Sequence, residues 1–429
     1  MISGFSGLKN HLFLNETTMK SNYNSVFAAL FLTCITFISC SSDDDNKTTE
    51  GIIDEPVETV DELTVANVRS YMVDANATDE TVALFYNLYH LSKTQFLVGQ
   101  QDAFNGFYNN DVGDSDMKKA TGNDPALLGS DFMFITDDQN NEQPDNWFYQ
   151  QEILITDDVK EAYSKGMVNI FSWHFREPFE GESFYTSDMT DYQKYNAFPS
   201  LLPGGLNHDY YKAKLDKVAS VLSNLKDNND KLIPVIFRPF HEFDGNWFWW
   251  GSAYCTPAQY QQVWQFTVEY LRDTKHVHNV IYAFSPDNSY TTESQYLNRY
   301  PGDTYVDILG MDNYGDFNNQ GTAGAVTANA KLKMISDLAK EKVKIAAMTE
   351  TGFQINSSNS PIDHFFSDYI YSAMTSNDVE LAFVMFWANS QDGYYVPPAG
   401  QTDTQDFVTF ANKAGSVLQN DIPDMYTLP

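Results

Sequence analysis

A closed (β/α)8 TIM barrel is the fold this sequence predicts, and three observations predict it. Eight short apolar runs each end in polar or aromatic residues, stretches with helical spacing lie between them, and no glycine-rich phosphate loop follows the first run. The runs are Phe96–Ala103 (FLVGQQDA), the weaker Ala126–Phe132 (ALLGSDF), Val168–Phe175 (VNIFSWHF) and Ile233–Glu242 (IPVIFRPFHE). They continue with Val280–Asp287 (VIYAFSPD), Val306–Gly315 (VDILGMDNYG), Lys344–Gly352 (VKIAAMTETG without its first valine) and Leu381–Asn389 (LAFVMFWAN). Their hydrophobicity is continuous rather than alternating, which suits parallel strands covered on both faces. A doubly wound open sheet is the alternative topology, but neither GxGxxG nor GxxxxGK[ST] occurs.

The intervening helices are predicted over Tyr210–Asp227, Pro257–Lys275 and Thr327–Lys340. In the first, Leu215, Val218, Leu222 and Leu225 form one stripe. In the second, Thr256 is placed as an N-cap with Pro257 in the first helical position.

Function in such a barrel gathers at the C-terminal strand ends. The most informative stretch is Ile236–Gly251 (IFRPFHEFDGNWFWWG), where an apolar strand runs directly into His241, Glu242, Trp247, Trp249 and Trp250. An unpaired carboxylate cannot continue into an apolar core, so Glu242 is expected at a strand mouth. Aromatic rings suit pyranose sugars, which present C–H groups on one face. The same tryptophans read equally well as core residues.

Lys344–Gly352 (KIAAMTETG) repeats the design with Glu350. Two strand-end glutamates meet the demand of glycoside hydrolysis for a proton donor and a nucleophile or base. The other strand ends carry Asp102, Asp131, Trp173 with His174, Arg238 with His241, Asp287 with Asn288, Asp312 with Tyr314, and Trp387 with Asn389. Arg238, a forked donor, can hold a carboxylate ionised or serve in a structural ion pair.

RPFHEFDGNWFWWG with the downstream TETG, and with GQQDA, SWHF, DNYG and FWAN in order, resembles glycoside hydrolase family 26, a family of barrel enzymes rich in β-mannanases. The resemblance extends from about Leu63 to about Asp421. It implies Glu242 as acid/base at the end of the fourth strand and Glu350 as nucleophile at the end of the seventh. It further implies His241 beside the acid/base, Tyr314 as hydrogen-bond donor to the nucleophile, and Trp387 as floor of the reacting sugar's subsite. Trp173, His174 and Trp247 correspond to residues lining that subsite and its neighbours, and Arg238 and Asp312 are further candidates for substrate binding. The implied reaction is a retaining double displacement on β-1,4-mannosidic linkages in mannan, galactomannan or glucomannan, with carboxyl groups about 5 to 5.5 Å apart. The alternatives are a family relative acting on mixed-linkage β-glucan or β-1,3-xylan, and a glycan-binding lipoprotein without catalysis.

The beginning of the chain suggests where this occurs. Val26–Ser39 (VFAALFLTCITFIS) is apolar but shorter than the roughly 20 residues that span a bilayer, and it follows Lys20, so 1–39 reads as a signal peptide, with Met19 a second candidate start. Phe37-Ile38-Ser39-Cys40 resembles a lipobox that places lipid on Cys40, and Ser41-Ser42-Asp43-Asp44-Asp45 resembles the acidic export tag of Bacteroides-type surface lipoproteins. Residues 40–58 form a polar, acidic tether, and residues 59–429 form one catalytic domain. The expected location is the cell surface as an outer-membrane lipoprotein, with periplasm or secretion the alternative.

A formal net charge of −32 disfavours nucleic acid and anionic glycans and leaves neutral polysaccharide as the expected partner of a monomer. With Cys34 in the signal and Cys40 lipidated, only Cys255 remains and no internal disulfide is expected. No cofactor and no catalytic metal are expected, since HExxH and paired CxxC are absent. The acidic trio Asp111, Asp114 and Asp116 reads as a solvated loop, with calcium the alternative. Endo or exo action depends on whether a loop, such as Asp138–Asp145 or Asp316–Ala325, closes one end of the cleft.

Overall fold

The structure, a computed structural model, describes residues 62–429; the signal segment 1–39, Cys40 and the tether 40–58 lie outside the described residues. Eight parallel strands close on themselves: β1 Phe96–Gln101, β2 Leu127–Asp131, β3 Val168–Trp173, β4 Val235–Pro239, β5 Val280–Phe284, β6 Ile308–Asn313, β7 Ile345–Thr351 and β8 Phe383–Phe386. Each pairs with its successor, and β8 returns to β1 with Leu97 opposite Phe383 and Gln100 opposite Phe386. The predicted (β/α)8 barrel is the fold, and all eight apolar runs supply its strands.

Alternation along each strand fixes what lies inside. Leu97, Leu127, Val168, Ile236, Ile281, Ile308, Ile345 and Phe383, near the strand beginnings, join one buried cluster with Leu84, Phe85 and Leu88 of the helix Asp79–Leu91. That helix, started by Thr78 accepting from the Thr81 amide, therefore floors the barrel, and its burial excludes water from the end opposite the site. Two residues further along, β4 turns polar at Arg238, while Ile170, Ala283, Ala347 and Met385 of other strands still belong to the same buried cluster. Gly310 is the inward residue of β6 there, and a Cβ on it would come within 2.8 Å of Thr349 Oγ1 and 3.0 Å of Ser285 Cβ, so glycine leaves room for the polar layer above.

The outer helices follow the predicted stripes, with shifted ends. The first spans His208–Asn224 and buries Leu215, Val218 and Leu222, while Leu225 caps it and is also buried. Thr256 and Gln259 form a reciprocal capping box with Pro257 in the first turn, and the helix ends at Glu269 in a wider turn over Tyr270–Thr274. The third begins earlier than predicted, at Gly321, and runs to Lys342. Among the described residues no helix is long and apolar enough to cross a membrane.

Candidate active site

The end of β4 holds the first carboxylate. After Pro239 the chain leaves the sheet through Phe240 (φ 49°) and Glu242 (φ 51°), both in the left-handed region that side chains disfavour. Three bonds hold this shape. The Tyr260 hydroxyl donates to the Phe240 carbonyl at 3.0 Å, the Trp250 indole donates to the His241 carbonyl at 2.6 Å, and the Glu242 amide donates to the Ser285 carbonyl at 2.9 Å. Backbone strain of order 1–3 kcal/mol per residue persists only where surroundings dictate it, and it cluster at working sites. The indole N–H of Trp247 donates to Oε2 of Glu242.

The end of β7 holds the second. Met311 pairs with Met348, but Asp312 pairs with Glu350, so β7 carries one extra residue and Thr349 and Glu350 are both turned to the same neighbour. Such a bulge re-aims a side chain at a barrel rim. Glu350 is then held by the Nη2 group of Arg238 at Oε1 and by the Tyr314 hydroxyl at Oε2, 2.8 Å away. Nη1 of Arg238 donates to Asp312 Oδ2 at 2.6 Å and to Ser285 Oγ at 3.1 Å, and Thr349 Oγ1 donates to Asp312 Oδ1 at 2.6 Å.

Burial pushes both carboxyls up, and Arg238 pulls both back. The remaining upward displacement is large at Asp312, where Glu350 and Glu242 add to it. Glu350 is raised as well, with Glu242 adding to burial while His174, like Arg238, opposes it. Each of the two carboxyls accepts donors at both oxygens, Asp312 from Thr349 and Arg238 and Glu350 from Arg238 and Tyr314, as partners of one shared guanidinium do. His241, Asp312 and Glu350 each bring one atom within 4.8 Å of the others, the arrangement that a metal ion could occupy. The guanidinium already fills the cation position between the two carboxylates.

Histidines complete the floor. His241 Nε2 lies 4.0 Å from Glu350 Oε1 and 3.2 Å from His174 Nε2. His174 Nδ1 meets Oδ2 of Asp131 at the end of β2. Phe184 and Phe248 pack on His174 at 4.8 and 5.5 Å between centroids, and Trp387 stands edge-on to it at 5.8 Å. Trp387 clusters with Tyr395 and Tyr314. Glu242, Glu350, Arg238, Tyr314, His241, His174, Trp247 and Trp387 are thus brought together.

Other predicted residues have different places. Trp173 points to the helix layer, fully buried, stacked on Phe175 and Tyr211, with its indole donating to Thr136 Oγ1 at 2.8 Å. It does not line the cleft, because odd and even residues of β3 face opposite sides and His174, next along, takes the inner one. Arg238 and Asp312 have no exposed side-chain surface, so they hold Glu350 from beneath rather than contact a sugar. Trp249 and Trp250 are core residues too, their indoles spent on the Phe175 and His241 carbonyls. Asn389 braces loops, donating to Asp116 and accepting from the amides of Tyr395 and Val396.

Asp111, Asp114 and Asp116 each pair with Lys118 or Lys119. Cys255 is a buried free thiol that burial pushes up to about 11. Sequence reasoning did not find Ser285, Thr349 or Phe248, whose roles depend on cross-strand register.

Over residues 73–376 the chain matches glycosyl hydrolase family 26. It is 33% identical over 361 residues to the mannan endo-1,4-β-mannosidase of Bifidobacterium adolescentis, an alignment covering 80% of this chain and 35% of that protein. It is 28% identical over 255 residues to the mannan endo-1,4-β-mannosidase of Bacillus subtilis, covering 56% of this chain and 66% of that one. The chain therefore spans less than two thirds of the length of these relatives. Among solved structures, GH26C from Muricauda sp. MAR_2010_75 is 58% identical with a TM-score of 0.85, covering 86% of this chain and 100% of that one. A β-mannanase from Bacteroides ovatus is 31% identical with a TM-score of 0.72, covering 82% of this chain and 98% of that one. With its barrel, its two strand-end glutamates and this match along most of its length, the chain belongs to glycosyl hydrolase family 26.

Proposed function

We propose that this chain is a retaining endo-β-1,4-mannanase acting on mannan, galactomannan or glucomannan. The observation that carries the reading is the hold on Glu350 at both of its oxygens, close to Glu242. Glu350 is gripped at both oxygens by cationic and phenolic donors, Arg238 and Tyr314, as an ionised nucleophile requires. Glu242 accepts the Trp247 indole N–H at Oε2. In the first step Glu242 gives its proton to the glycosidic oxygen as Glu350 attacks the anomeric carbon, forming a glycosyl ester and releasing the leaving sugar. In the second, Glu242 takes a proton from water, whose oxygen attacks the same carbon and returns Glu350 to its carboxylate. Retaining chemistry of this kind calls for carboxyl groups about 5 to 5.5 Å apart. Mannan as substrate is supported by the names of the relatives, which are mannan endo-1,4-β-mannosidases.

The proposal extends to location. Cys40 would carry lipid, and residues 40–58 would tether a monomeric barrel to the outer face of the outer membrane, where polysaccharide is met.

Product release tests the activity. Protein from residue 41 onward is incubated with linear mannan, galactomannan, mixed-linkage β-glucan and β-1,3-xylan, beside Glu350→Ala. A ladder of manno-oligosaccharides that disappears in the variant is the expected outcome. Mannobiose alone would replace endo with exo action, cleavage of glucan or xylan instead would change the substrate, and binding without cleavage would leave a glycan-binding lipoprotein.

A further inference from the structure

Asp131 stands one layer behind the reacting groups, and its carboxylate oxygens accept four hydrogen bonds. Its Oδ1 accepts the amides of Met133 at 2.7 Å and His174 at 3.1 Å. Its Oδ2 accepts the Ser172 hydroxyl at 2.9 Å and the ring of His174 at Nδ1. Four donors on two oxygens describe an ionised, acceptor-only carboxylate. Burial alone would push this carboxyl up, but the charge and hydrogen bond of His174, with the other donors, hold it below the ordinary range. Nδ1 of His174 must then carry the hydrogen, and this decides the other side of the ring.

On that other side, Nε2 of His174 faces Nε2 of His241 at 3.2 Å, with the rings nearly perpendicular. Two N–H groups pointing at each other would repel, and so would two lone pairs. Only one hydrogen fits between them. His241 Nε2 is in turn 4.0 Å from Oε1 of Glu350, the oxygen that Arg238 holds.

We propose that Asp131 is a positioning residue: by fixing the hydrogen on Nδ1 of His174, it sets the two histidines as one hydrogen-bonded pair sharing a single hydrogen beside Glu350. The pair then presents a fixed ring edge to the nucleophile and to the sugar above it. Without Asp131, His174 can take its other tautomer and turn its Nε2–H against His241, which would displace the ring nearest Glu350. Asp102, just past the end of β1, is near enough for Asp131, together with burial, to push its carboxyl up to about 7. The effect on turnover rests on the retaining-hydrolase reading, whereas the tautomer does not.

The test begins with the wild-type chain and nitrogen-15 imidazole spectra. His174 is expected to be protonated at Nδ1, with a low-field, slowly exchanging ring proton. A neutral His174 protonated at Nε2 alone overturns the proposal whatever the enzyme cleaves. In Asp131→Asn that low-field proton should vanish. The turnover number on mannan should fall about 10- to 100-fold, the scale of one hydrogen bond to a charged group, with a smaller change in KM. If Asp131 only supported the fold, Asp131→Asn would lower the melting temperature and leave the spectrum and turnover of the folded fraction unchanged. Ser172→Ala, which removes one donor and keeps the carboxylate, provides the second variant. It should retain the Nδ1 proton, and its loss there would also contradict the proposal. A wild type with the expected spectrum and no action on mannan would overturn the substrate reading and leave the histidine pair standing.

Discussion

The Tyr314 hydroxyl donates a 2.8 Å hydrogen bond to Oε2 of Glu350, the carboxylate oxygen opposite the one that Arg238 holds. The two donors come from β6 and β4, so the nucleophile is fixed only when three strands are in register. Tyr314→Phe removes one hydrogen bond to a charged acceptor, worth about 1.5–3 kcal/mol, and should lower kcat/KM on an activated aryl β-mannoside roughly 10- to 100-fold. Unchanged kinetics would show that Arg238 alone orients Glu350.

Arg238 is fully buried between Asp312 and Glu350. Removing one partner of a buried ion pair leaves uncompensated charge and costs about 3–5 kcal/mol. Arg238→Met should therefore lose that much stability in urea unfolding as well as activity. Loss of activity at full stability would mean that the two carboxyls are neutral in the folded protein.

Trp173 and Trp247 should separate cleanly. Trp173→Ala empties a packed site between β3 and the helix His208–Asn224 and should cost about 3–5 kcal/mol of stability, with KM of the folded protein preserved. Trp247→Ala removes the indole donor from Glu242 and should lower kcat with little effect on unfolding. Reversed outcomes would return Trp173 to the cleft.

Stability should depend on pH through Asp102 and Asp244. Burial, with Asp131 and Asp158, pushes Asp102 up to about 7, and burial, with Glu242, does the same to Asp244 although the amides of Asp287 and Ser289 oppose it. A carboxyl with a raised folded value binds its proton more tightly when folded. Its contribution is complete below the unfolded value near 3.8 and is lost as pH rises through about 7. Urea unfolding at pH 5 and pH 8 should show a smaller loss for Asp102→Asn than for wild type; equal losses would remove Asp102 from the account.

The barrel was legible because all eight strands are buried on both faces, so their apolar runs are unbroken by alternation. Their ends were less so. Val280–Asp287 shortens to Val280–Phe284 and Ile233–Glu242 to Val235–Pro239, because the polar residues that mark a strand mouth have already left the ladder. The long helix begins at Gly321 rather than Thr327, since Gly321, Ala323 and Gly324 give no stripe to follow. Tryptophans were the least legible. Whether an indole meets a sugar or a core depends on where its N–H finds an acceptor, and for Trp173, Trp249 and Trp250 those acceptors are Thr136, Phe175 and His241, elsewhere along the chain. The bulge that turns Glu350 inward also leaves no mark in KIAAMTETG, as it exists only relative to β6.

The most direct measurement is covalent capture in Glu242→Ala. With a mannoside carrying a good leaving group, the first step proceeds without a proton donor while the second lacks its base, so glycosyl-enzyme accumulates after a burst. Peptide mapping by mass spectrometry is predicted to find one added mannosyl group on Glu350. No adduct, or a product of inverted anomeric configuration released directly, would contradict a retaining mechanism with Glu350 as nucleophile.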